Sequence, residues 1–202
     1  MKRWTIGASA AALVFSASLA DAQAPQIVRL RGAIESVDGQ TLTMKGRDGM
    51  SMSMKLPDGV PVRGLEKKTV ADVKQGGFVG ITAMPLPDGT QKAVEIHIFP
   101  ESMRGTGEGH RPWDLVPNST MTNGNIDSAV ASTDGKELVL KYKDGEKKFI
   151  MPANIEVVMF IPGSTADLKP GEKVFVVAKK LPDGTLEPQF ITVGHNGVNP
   201  PM

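Results

Sequence analysis

Polar and apolar side chains take turns along Thr41-Leu-Thr-Met44 and again along Met50-Ser-Met-Ser-Met-Lys-Leu56. A period of two marks strands with one buried face. Asp-Gly pairs punctuate the chain at 38–39, 48–49, 58–59, 88–89, 134–135, 144–145 and 183–184, and such pairs between alternating segments signal hairpins. The pattern predicts strands over 26–37, 41–44, 50–56, 78–84 and 92–98, then over 137–142, 147–151, 155–161, 173–179 and 186–193. Pro61, between Val60 and Val62, predicts an edge or short strand, because proline cannot donate to a ladder. The stretches 69–77 and 165–171 each read as one helical turn; Thr69 supplies a capping hydroxyl for the first, and both stop at glycine.

The pattern is written twice. Ala71-Asp-Val-Lys-Gln-Gly76 returns as Ala166-Asp-Leu-Lys-Pro-Gly171, and Leu86-Pro-Asp-Gly-Thr90 as Leu181-Pro-Asp-Gly-Thr185, each 95 positions on. Asp38-Gly39 and Asp48-Gly49 return 96 positions on, so the copies slip by one residue. A period of this length predicts two structural units. The expected fold is all-β: two tandem, small, antiparallel OB-like barrels over 23–98 and 124–194, with one short helical turn each. Paired sandwich-like sheets are the alternative. Residues 99–123 have no counterpart and form a connecting insert, and the Gly/Asn/Pro-rich stretch 195–202 predicts a disordered tail. Each copy is near the size at which a lone core is marginal, so the two should pack together.

Gly32-Ala-Ile34 with Gly124-Asn-Ile126, the paired Asp-Gly turns, Ala166-Asp-Leu-Lys-Pro-Gly-Glu-Lys-Val174 and the closing Asp183-Gly184 hairpin resemble a family of exported bacterial tandem small-barrel domains of unknown function. The resemblance spans most of 30–98 and 122–193. Its motifs are turn and core positions, so it implies a fold and a compartment without a chemistry. The first copy departs at Gln75-Gly-Gly77, where proline and a charged residue are more usual.

Composition adds the compartment. Lys2 and Arg3, an apolar run from Ile6 to Leu19 and Ala20-Asp21-Ala22 predict a cleaved signal peptide over 1–22. The expected location is periplasmic or secreted, without a membrane span after cleavage. There is no cysteine, which excludes disulfides, thiolate chemistry and lipid attachment. Without Lys2, Arg3 and Asp21 the chain carries 21 basic and 21 acidic side chains. Such balance argues against a nucleic-acid partner.

Candidate chemistry gathers in two places. The insert holds His110, Arg111, Trp113 and Asp114, and binding residues concentrate on long irregular segments carried by rigid scaffolds. These four are the expected ligand-binding residues, for an unidentified envelope ligand or protein partner. The competing role is a strap, with Trp113 filling the groove between barrels and Arg111 paired to Asp114. Met50, Met52 and Met54 would face one side of a strand, and thioethers suit copper(I). Core filling is the plainer role for them, since Met54 aligns with Phe149. Alternation turns Val94, Ile96 and Ile98 inward and His97 outward, level with Thr192. Histidines 97, 110 and 195 then read as scattered surface residues. No nucleophile elbow, phosphate loop or paired catalytic carboxylates stand out. The expected function is a non-enzymatic binding or structural module, with soft-metal binding as one alternative and an enzyme acting on envelope polymers as another.

Overall fold

A computed structural model of the chain describes residues 26–132 and 135–201. The predicted signal peptide, 1–22, lies outside the described residues, as does Asp134 of the predicted 134–135 turn. The protein is all-β. Its strands are β1 (Gln26–Asp38), β2 (Thr41–Gly46), β3 (Ser51–Lys55), β4 (Val62–Lys68), β5 (Phe78–Pro85), β6 (Gln91–Ile98), β7 (Gly109–Pro112), β8 (Thr120–Ser132), β9 (Gly135–Tyr142), β10 (Gly145–Met151), β11 (Glu156–Pro162), β12 (Lys173–Lys180) and β13 (Leu186–Gly194).

The closing hairpins and the short helical turns recur in the two copies with the same bonds. In each closing hairpin the aspartate carboxylate accepts the N–H of the threonine two residues on, at 2.9 Å for both Asp88–Thr90 and Asp183–Thr185. Gly89 and Gly184 supply the left-handed residue at φ +86° in both. The predicted helical turns are 3₁₀ turns, Val70–Asp72 and Thr165–Asp167. Asp72 accepts from the N–H and hydroxyl of Thr69, and Asp167 from those of Ser164. These bonds hold both carboxyls below the usual aspartate range.

One barrel per copy is the expectation that the strand order corrects. The closed five-stranded barrel joins β8, β9 and β10 of the second copy to β5 and β6 of the first, with β10 closing on β6 in parallel. The other barrel joins β1, β2 and β3 to β12 and β13, with β3 beside β13. Each copy thus gives its first three strands to one barrel and its last hairpin to the other. The cores confirm the exchange: Ile34, Leu42 and Met54 pack with Val174, Val176 and Ile191, while Ile81 and Ile96 pack with Leu138, Leu140 and Phe149.

The crossover runs through β4 and β11, which pair antiparallel at the centre with Leu65 opposite Phe160. Each is flanked on its other side by a parallel strand, β13 beside β4 and β6 beside β11. Val62 faces Ile191 and Val157 faces Ile96, the same register on both sides of an approximate two-fold axis. The proline-flanked segment is therefore a central strand, not an edge. Pro61 sits just ahead of β4, where its carbonyl accepts the Ile191 N–H and no donor is missed.

Two further expectations change. The stretch 195–201 is not a loose tail: Pro200 and Pro201 are buried, and Val198 packs against the central aromatic cluster. On β6, Ala93 takes the core position intended for Val94, because a bulge beside Thr82 and Ala83 adds one residue to the strand.

Candidate functional site

Alternation decides which side chains reach the junction between the barrels. On β12, Val174, Val176 and Ala178 point into their barrel, so Phe175 and Val177 point away from it. On β6 the inward Ile96 leaves Glu95 and His97 on the outer face. Phe160 and Leu65 of the crossover strands and Phe99 after β6 meet these faces, forming a third, largely aromatic cluster. Phe99 lies 5.2 Å from Phe78, 5.0 Å from His97 and 5.1 Å from Phe160, ring centre to ring centre. Edge and tilted contacts of this kind are the favourable ones.

Beside that cluster is a cavity of about 280 Å³. Its apolar walls include Phe99, Phe160, Phe175, Phe190 and Trp113, and its cations are Arg29, Arg63 and Arg111. The guanidiniums stack on the rings. Arg29 stands 4.3 Å from the Trp113 ring centre and Arg111 5.4 Å, while Arg63 stands 5.1 Å from Phe190 and 5.9 Å from Phe160. Burial lowers the pKa of Arg63, and burial together with the neighbouring Arg29 charge lowers that of Arg111. Both stay protonated. Neither has a carboxylate within ion-pair distance among the described residues.

Of the predicted site residues, Arg111 and Trp113 line the cavity. Strand β7 places them, pairing with the start of β8 so that Arg111 lies opposite Met121. Arg111 does not pair with Asp114; it donates to the Gly107 carbonyl at 2.8 Å. Asp114 sits at the rim, 2.7 Å from Arg31 and 3.9 Å from Arg29. His110 alternates to the other face of β7, bonded through Nδ1 to the Thr122 hydroxyl and stacked over Tyr142. Burial, Lys147 and Arg111 hold its pKa below the ordinary histidine value.

His97 does face outward from its barrel, level with Thr192, yet it is buried because the other barrel covers that face. Its Nδ1 lies 3.3 Å from both oxygens of the buried Glu95, which also accepts the Thr82 hydroxyl at 2.5 Å. His195 packs close against Gly64, far from His110 in the strand order. Among the described residues no three His, Asp or Glu side chains are grouped to hold a metal.

The methionine row runs from solvent to core. Met50 is exposed, Met52 half-buried opposite Met44, and Met54 buried opposite Leu42. Met52 borders a shallow groove shared with Arg29, Arg31, Arg47, Asp48 and Asp114.

Comparison with protein-family models, with curated proteins and with solved structures finds no match to this chain.

Proposed function

We propose that this chain is an exported, non-enzymatic binding module that holds a small molecule in the cavity between its interlocked barrels. The observation that carries this reading is the pairing of aromatic walls with Arg63 and Arg111, two partly desolvated cations that no acid balances. Folding gains little from a guanidinium placed so, since charge removed from water without a partner is unfavourable. A ligand site uses it. Trp113 Nε1 and Asn123 Oδ1, on two cavity residues, are buried without a hydrogen-bond partner among the described residues. Buried polar atoms are ordinarily satisfied, so this too supports an occupant. Export rests on Lys2, Arg3, the apolar run from Ile6 to Leu19 and the Ala20-Asp21-Ala22 that follows.

The test is a ligand-observed NMR screen of neutral, ring-bearing fragments against the full chain and against Val177→Trp, which fills the cavity from its wall. Fragments should bind the native chain and lose binding to the filled variant. Hits that persist in the variant, or no hits at all, would remove the cavity as a binding site.

A further inference from the structure

Resting on that reading of the cavity, we infer that its ligand is a small arylalkanoate: one flat apolar ring with a single carboxylate on a short arm. Size sets the first limit. An engineered apolar cavity of about 150 Å³ accepts benzene, so about 280 Å³ holds one ring and a few further heavy atoms.

The walls select the ring. Phe160, Phe175, Phe190 and Trp113, all in its lining, offer faces and edges to a flat apolar body.

The charges select the anion. No aspartate or glutamate lines the cavity, while Arg29, Arg63 and Arg111 all do. Asp114 pairs with Arg31 at 2.7 Å and with Arg29 at 3.9 Å without lining the cavity, which leaves Arg63 and Arg111 as the cations without a carboxylate. Guanidinium groups match a carboxylate in a planar, two-point geometry. A single charge fits better than the double charge of a phosphate monoester, because a dianion loses more hydration on entering an apolar space.

The inference is tested by isothermal titration calorimetry of the full chain with 3-phenylpropionate, with the same-shaped neutral 3-phenylpropan-1-ol, and with acetate. The acid should bind at least tenfold more tightly than the alcohol, and acetate should give no measurable binding. In Arg63→Met and Arg111→Met the acid should fall toward the alcohol's affinity while the alcohol is unchanged. Should either variant fail to fold, added salt on the native chain replaces it: acid binding should weaken with ionic strength and alcohol binding should not. Equal affinity for acid and alcohol, with both lost in Val177→Trp, would overturn the anion and leave the cavity reading standing. Binding of none of the three overturns the arylalkanoate, and the neutral-fragment screen then decides the cavity separately.

Discussion

On the β5–β6 hairpin, Gly80, Thr82, Glu95 and His97 occupy the places that Phe175, Val177, Phe190 and Thr192 occupy on β12–β13. Register and bulge are the same in both, and so is the inward face, where Val79, Ile81 and Ala83 correspond to Val174, Val176 and Ala178. The outward faces share almost nothing. One carries a buried hydroxyl–carboxylate–imidazole network, and the other carries the aromatic wall of the cavity. Barrel formation constrains only the inward face, so a duplicated scaffold is free to diverge on the face that its twin covers. The asymmetry of the junction, and with it the aromatic and cationic cavity, arises from that freedom.

The sharpest way to break the comparison is through the cores. Phe149 is fully buried in one barrel and Met54 nearly so at the matching place in the other. Phe149→Ala should destabilise by about 4 kcal/mol and Met54→Ala by about 3 kcal/mol, typical of large-to-small core changes. Because both copies supply each core, both variants should lower one and the same thermal transition. Two separate transitions in calorimetry, each sensitive to one variant only, would contradict the exchange of hairpins.

A smaller effect probes the outward faces. A methyl group at Gly80 would fall inside contact distance of the His97 imidazole, whereas β12 carries a full phenylalanine at that place with Thr192 opposite. Gly80→Ala should destabilise by about 2 kcal/mol, as overpacking does. Adding His97→Thr should restore part of that loss, with a coupling above about 1 kcal/mol in a double-mutant cycle. Purely additive effects in urea unfolding would mean that the two faces differ for some reason other than this contact.

The smallest effect lies where the network meets the crossover strand. Glu156 sits opposite Glu95 across the parallel β6–β11 pairing. Its carboxyl is pushed up from 4.5, first by burial and then by the Glu95 charge, with Lys67 opposing. A raised acid favours the folded state when protonated, so its contribution is greatest below the unfolded value and is lost as pH rises through the folded one. Glu156→Gln should therefore raise the melting temperature slightly at neutral pH, and the gain should fade as the pH falls toward about 4.5 and be absent below it. A gain that is the same at pH 4 and pH 7 would place the strain elsewhere.

Much of the fold is legible in the residues. Alternation along Met50–Leu56 and the Asp-Gly turns locate the strands closely, because both are local consequences of pleating and turn geometry. The candidate site is legible only in part. Arg111 and Trp113 stand out as unpaired, chemistry-bearing residues in an insert without a counterpart, and both line the cavity. His110 does not, because a four-residue strand alternates it to the opposite face. Arg29, Arg63 and the three phenylalanines are ordinary strand residues in the sequence. The one signal for them is the mismatch of the two copies at outward positions, such as Glu95 against Phe190.

The amino-acid sequence by itself determined an all-β chain, its turns, the recurrence of its motifs and the inward face of most strands, since these depend on contacts within a hairpin or on a period of two. Only the tertiary structure decided which hairpin closes which barrel. The repeats make the two closures nearly equivalent locally, and the choice is settled by where β4 and β11 cross. That crossing also buries one outward face against another, so it alone turns scattered arginines and phenylalanines into a cavity.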